Sequence, residues 1–234
     1  MDSFPAIEID KVKAWDFRLI DENTAESLNV AYGVDSNYLD GVGVSITSIV
    51  INNRHVNLDF YIIADVYNDD FFQKVEKLAE QYQLRITLYR INTDNLQCLP
   101  CTQVWSRAMY FRLFAFQLLG VTLNRLLYLD ADVVCKGNIS QLLHLEFNGA
   151  VAAVVRDVDP MQEKAVVRLS DPELRGQYFN SGVVYLDLKK WTEAKLTEKA
   201  LSILMSKDSI YKYPDQDVMN VLLKGMTIFL PREF

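Results

Sequence analysis

Arg125-Leu126-Leu127-Tyr128-Leu129-Asp130-Ala131-Asp132 is the stretch on which the reading of this sequence turns. Its apolar residues predict a short buried strand over 125–129, and two carboxylates stand at the strand's exit. In open α/β sheets, ligands gather at the carboxyl ends of the strands. Residues two apart on extended backbone point to one side, so Asp130 and Asp132 are expected to converge on one hard cation, with Ala131 kept small between them. Carboxylate oxygens suit Mg²⁺ or Mn²⁺, which also accept diphosphate oxygens. The same acids would serve equally as loop aspartates or helix caps, since Asp-x-Asp alone is a common pattern. The frame around the strand separates these readings.

Outward from that stretch, strand and helix patterns alternate. Residues 28–34 form an apolar run ending at Asp35, and 38–53 carry Val42, Ile46, Ile49 and Val50 at helical spacing. A second strand over 58–64 is closed by Asp65. Asp69 and Asp70 then suit the positive end of a helix running to Tyr82, and 84–91 alternates as a third strand. Ser106 is a fitting N-cap for a helix to Leu119 that is apolar nearly all round and therefore buried. Arg107 and Arg112 are conspicuous within it. Residues 150–155 and 183–188 read as buried strands, 189–205 and 215–223 as helices, and 226–230 as a last strand. This alternation predicts an α/β domain with a mainly parallel central sheet flanked by helices over residues 28–234. Residues 1–27, of mixed charge and no clean period, are expected to form an N-terminal arm or appendage. The chain stops four residues after its last strand, which reads as the abrupt end of a fragment.

Composition narrows the function classes. A net charge of -7 argues against bulk electrostatic binding of nucleic acid, so none is expected as a partner. An acidic chain that handles a phosphorylated substrate needs a local cation, which favours a bound divalent metal. The start, Met1-Asp2-Ser3-Phe4-Pro5, is unlike a signal peptide, and no uncharged apolar run is long enough to span a bilayer. Three cysteines do not make a disulfide framework and fit a reducing compartment. Cys98-Leu99-Pro100-Cys101 has redox-pair spacing but is expected in a loop, as two ordinary thiols. No P-loop appears, and Tyr32-Gly33-Val34-Asp35 stands where a dinucleotide-binding glycine fingerprint would follow the first strand. A hydrolase triad is poorly served by His55 and His144 without a nucleophile elbow.

Two further clusters stand at strand and helix boundaries. Phe179-Asn180-Ser181-Gly182 is either a simple turn before a strand or a side-chain amide placed at a site. Asp215-Gln216-Asp217, after Pro214, opens a helix where capping explains one acid but not Gln216.

Together these residues resemble glycosyltransferase family 8, retaining sugar transferases of GT-A fold. The resemblance runs from Leu28 to Phe234. It rests on the ordered set Ala31-Tyr32-Gly33-Val34-Asp35-Ser36-Asn37-Tyr38, Arg107-Ala108-Met109-Tyr110-Phe111-Arg112-Leu113, Leu129-Asp130-Ala131-Asp132, Tyr178-Phe179-Asn180-Ser181-Gly182 and Tyr213-Pro214-Asp215-Gln216-Asp217. It implies that Gly33, Val34, Asp35 and Asn37 surround the nucleoside of a UDP-sugar, with Tyr38 stacked on the base. Asp130 and Asp132 would hold Mg²⁺ or Mn²⁺, with Asp130 and Ala131 also against the donor. Arg107 would contact the donor sugar or diphosphate, and Asn180 and Ser181 the sugar. Asp215 would position the sugar and Gln216 would lie below the anomeric carbon, the two being the catalytic candidates.

Among the family's members the likeness is greatest to those that build the lipopolysaccharide core. It implies transfer of glucose from UDP-glucose to a core hexose through an α-1,2 linkage, in the cytoplasm or peripherally on the cytoplasmic face of the inner membrane. A UDP-galactose-dependent core galactosyltransferase and a non-catalytic UDP-sugar-binding fragment are the alternatives. The family's His-x-x-Gly-x-x-Lys-Pro-Trp segment, with its third metal ligand, does not occur in these residues, nor does its basic C-terminal region. The resemblance therefore implies a chain truncated at its C-terminus.

Overall fold

β-branched and aromatic side chains in alternation, interrupted by amphipathic helices, build one mixed sheet with helices on both faces. The computed structural model describes residues 6–18, 26–101, 106–206 and 211–234. Strands β1 (Ile9–Asp16), β2 (Leu28–Val34), β3 (Leu58–Ala64), β4 (Arg85–Ile91), β5 (Arg125–Leu129), β6 (Ala152–Arg156), β7 (Phe179–Asp187) and β8 (Thr227–Phe229) lie in the order β1-β4-β3-β2-β5-β7-β6-β8. The β4-β3-β2-β5 pairings and the β6-β8 pairing are parallel, whereas β1 joins β4, and β7 joins both β5 and β6, antiparallel. The parallel sheet read from the sequence thus forms one half of a mixed one. Ile9–Asp16, within the expected arm, is the edge strand of that half.

The helices are α1 (Leu39–Asn52), α2 (Asp69–Tyr82), α3 (Phe111–Leu119), α4 (Asp159–Leu169), α5 (Leu188–Glu193), α6 (Leu196–Leu204) and α7 (Pro214–Leu222). Alternate strand residues face opposite sides and divide the core. Val30, Tyr32 and Val34 pack with α1 and α2, while Ala31 packs with α3, α6 and α7. The Asn68 side chain caps α2 by accepting from Phe71 N at 2.7 Å.

Three expectations are corrected. The single helix expected over 189–205 is two, because Lys195 takes a left-handed conformation at φ 52°. The corner is packed onto α3: Trp191 Nε1 donates to Thr197 Oγ1 at 2.9 Å, which donates to Leu113 O at 3.1 Å. Ser106 does cap its segment, but a 3-10 turn over Arg107–Tyr110 precedes α3. Finally, β7 begins at Phe179 rather than Val183, so the Asn180 cluster lies inside a strand and is not a turn before one. Opposite it the register jumps: Val154 faces Val184 while Val155 faces Asn180, a bulge over 181–183. Bulges of this kind re-aim side chains beside functional sites.

Candidate active site

A cavity of about 680 Å³ opens where β2 and β5 end and β7 begins. Because β7 runs antiparallel to β5, its first residues share the edge at which the parallel strands deliver theirs. Gly33, Val34, Asp35, Asn37 and Tyr38 line one side; Asn180, Ser181, Asp215 and Gln216 line the other; Asp130, Ala131 and Asp132 lie between. Of the residues given a donor-binding or metal role from the sequence, Arg107 lies outside the lining, and its Nε is buried without a hydrogen-bond partner among the described residues.

Asp130 and Asp132 are joined not by extended backbone, as expected from the sequence, but by a turn. The strand ends at Leu129, and Val133 N donates to Asp130 O at 3.2 Å, closing a turn over 130–133. The strand ends there because Asp130 N makes a last bond to β7, donating to Gly182 O at 2.9 Å. The turn is braced on α1, where a Cβ on Gly41 would lie 3.0 Å from Ala131 O. The two carboxylates consequently sit in different surroundings: Asp130 is half-buried and Asp132 exposed.

Arg112, on α3, lines the cavity, and the sequence reading left it without a role. Its guanidinium is buried and stacks over the Tyr128 ring at 4.9 Å. Nη2 donates to Asp130 Oδ1 at 2.8 Å, Nη1 donates to Ser181 O, Nε donates to Met109 O at 3.0 Å, and Nε also lies 3.1 Å from Asp215 Oδ2. Burial alone would disfavour the Arg112 cation, but Asp130 and Asp215 outweigh it and raise its pKa. Burial also raises the Asp215 carboxyl, against the pull of Arg112 and with a push from Asp130. One cation therefore joins the acid at the β5 exit to the acid that opens α7. The available signal was a charge inside a helix apolar on every face.

Further polar groups line the cavity beside this pair. Ser181 Oγ donates to Asp215 Oδ2 at 3.2 Å and Ser181 N donates to Gln216 Oε1 at 3.1 Å. Asn180 Oδ1 accepts from Gly182 N at 2.8 Å. A Cβ on Gly182 would come within 2.7 Å of Asp130 Oδ2, so the carboxylate occupies the space that glycine leaves. On the other side, Asp35 Oδ1 accepts from Asn37 N at 3.0 Å and Oδ2 accepts from Ser106 Oγ at 2.8 Å. Ser106, read from sequence as a cap only, is thus also a clasp between the β2 exit and the start of the α3 segment. Tyr38 is 57% exposed, its ring free to take a planar ligand.

Two carboxylates facing one cavity fit a divalent cation that keeps several waters and takes its remaining oxygens from a substrate. Among the described residues, no group of three or more His, Cys, Asp or Glu side chains gathers at one point. No described helix is long and apolar enough to cross a membrane.

The chain is 88% identical over all its 234 residues to the lipopolysaccharide 1,2-glucosyltransferase of Escherichia coli (strain K12), of which it covers 69%. It is 34% identical over 223 residues to the lipopolysaccharide 1,3-galactosyltransferase of Salmonella typhimurium (strain LT2), covering 94% of this chain and 66% of that one. It therefore spans about two thirds of the length of these relatives. The galactosyltransferase LgtC, solved in complex with donor and acceptor sugar analogs, matches the fold with a TM-score of 0.75 at 22% identity, over 86% of this chain and 73% of that one. The fold is thus of GT-A type, and the profile of glycosyl transferase family 8 matches residues 29–234, so the chain belongs to that family.

Proposed function

We propose that this chain transfers glucose from UDP-glucose to a hexose of the lipopolysaccharide core, forming an α-1,2 linkage with retention at the anomeric carbon. The single observation that carries the reading is the cavity at the strand exits. It sets an exposed aromatic ring at one end, two carboxylates in the middle and a buried Arg-Asp-Gln cluster at the other. The 88% identity to an enzyme named for this transfer supports the choice of sugar and linkage.

In this reading Gly33, Val34, Asp35 and Asn37 hold the nucleoside, with Tyr38 against the base. Gly33 is required there, since a Cβ would meet Phe111 Cβ at 2.8 Å. Asp130 and Asp132 would hold Mg²⁺ or Mn²⁺, which supplies Lewis acidity that offsets charge on the departing diphosphate. Arg112 holds Asp130 and Asp215 in place, and Arg107 contacts the donor sugar or diphosphate. Asn180, Ser181 and Asp215 orient the sugar hydroxyls, and Gln216 presents its amide to the sugar. The anomeric carbon breaks its bond to the diphosphate oxygen and bonds to the acceptor oxygen, while the acceptor's hydroxyl proton leaves with the departing phosphate. The proposed acceptor class supports a cytoplasmic location, peripheral on the inner membrane's cytoplasmic face.

The test is a turnover assay on purified core acceptor with UDP-glucose and UDP-galactose in separate reactions, products read by mass spectrometry. A hexose added from UDP-glucose, with at most a minor product from UDP-galactose, is expected. A clear galactose preference would overturn the donor assignment, and binding of UDP-glucose without any turnover would favour a sugar-nucleotide-binding role.

A further inference from the structure

The side-chain amide of Gln216 is held in one sense only. At one end, the Ser181 N–H, which has no partner across the β7 bulge, donates to Oε1 at 3.1 Å. A backbone N–H is always a donor, so the atom facing it is the oxygen. At the other end, Nε2 donates to Asp157 Oδ2 at 2.9 Å and to Tyr178 OH at 3.0 Å. The Tyr178 proton is already committed to Asp217 Oδ1 at 2.6 Å. Its oxygen is therefore left to accept, from Gln216 and from Arg168 Nη2 at 3.2 Å.

This arrangement is buried and anchored. Asp157 is 8% exposed, Tyr178 0% and Gln216 9%. Asp217 is held by Arg168 and by the Lys212 and Tyr213 backbone N–H groups at 3.0 and 3.1 Å. Asn220 ties α7 to β7, donating to Phe179 O at 2.9 Å and accepting from Phe179 N at 2.8 Å. Inverting the amide would turn its NH₂ toward the Ser181 N–H and its oxygen toward the Asp157 carboxylate. Both contacts are repulsive, and a buried polar group without a partner is strongly disfavoured.

We propose that Asp157 and Tyr178 are positioning residues: they lock the Gln216 amide with its carbonyl oxygen toward Ser181 and the cavity. The inference rests on the transferase reading for its purpose. A fixed carbonyl dipole facing a sugar carbon that gains positive charge favours the transition state, whereas an inverted amide would oppose it.

The experiment measures kcat, donor KM and UDP-glucose affinity for Asp157→Asn and Tyr178→Phe, each alone and combined with Gln216→Ala. An asparagine at 157 presents an NH₂ that tolerates the inverted amide, and phenylalanine removes one acceptor. Each single variant is expected to lower kcat about ten-fold or more with donor KM changed less than about three-fold. In the Gln216→Ala background neither substitution should lower kcat further. An equal loss in both backgrounds, or a loss appearing in donor KM, would overturn the proposal. The lock itself is read independently of turnover from hydrogen exchange of the Gln216 side-chain amide by NMR of the unsubstituted chain. Protection well above that of exposed glutamines supports it, and ordinary exchange refutes it. A chain that binds UDP-glucose, protects this amide and does not turn over would defeat the transferase reading while leaving the lock standing.

Discussion

The two ends of the cavity are built in opposite ways. At the proposed nucleoside end, Asp35, Asn37 and Tyr38 sit on a short turn after β2, exposed or half-exposed, joined to the rest by Ser106. At the proposed sugar end, Arg112, Ser181, Asp215 and Gln216 are buried, and each is held by at least two neighbours. A planar base needs a surface to lie on, and an exposed ring provides one. A reacting carbon needs fixed dipoles, which only a buried, fully partnered cluster keeps in place. Asp130 stands at the border, with one oxygen on Arg112 and the other over Gly182.

If that contrast is right, damage at the sugar end harms stability and binding together, while damage at the nucleoside end harms binding alone. The largest effect is expected from Arg112→Met, which leaves Asp130 and Asp215 without their shared cation. Breaking one side of such a buried pair costs about 3–5 kcal/mol, readable by urea denaturation alongside loss of UDP-glucose binding. A loss below about 1 kcal/mol would mean that the cluster is not the rigid half.

Next comes a paired test on α1. Gly41→Ala pushes on the Ala131 carbonyl, whereas a Cβ on Gly43 meets nothing within 4 Å. Gly43→Ala should stabilise by about 0.4–1 kcal/mol with binding unchanged, while Gly41→Ala should weaken metal-dependent donor binding several-fold. Equal behaviour of the two would show that the turn is not braced there. Tyr38→Ala should weaken UDP-glucose binding about ten-fold, in line with ~1–3 kcal/mol for base–aromatic stacking, and leave the melting temperature unchanged.

The smallest effect is in pH dependence. Burial raises the Asp215 carboxyl above its ordinary value of 3.8, so its contribution to stability is full below that value and is lost as pH rises through the folded-state pKa. Asp215→Asn should remove this downward slope from stability measured against pH. An unchanged slope would place its origin elsewhere.

Much of the frame was legible because it is written in period and charge. The run 28–34, the aspartates at strand exits and the Ser106 cap are local signals, and β2, β3 and β5 form where those signals stand. The fold around them was harder to read where distant partners decide. Ile9–Asp16 has no clean alternation and becomes a strand because β4 offers it an edge. Phe179 to Gly182 looks like a turn locally and is strand because β6 pairs with Phe179 and Asn180. Arg112 was conspicuous, but its service to two acids 18 and 103 positions away is a tertiary fact. Asp157 carries no local mark at all, and only the closure of α7 onto β7 brings Gln216 to it.

The most direct test of the central claim is calorimetric titration of UDP-glucose with and without Mn²⁺, on the unsubstituted chain and on Asp132→Ala. Asp132 is exposed, so its loss should leave the melting temperature unchanged within about 1 °C. The account predicts that Mn²⁺ strengthens binding to the unsubstituted chain and that Asp132→Ala abolishes this gain. A gain of equal size in both would contradict it.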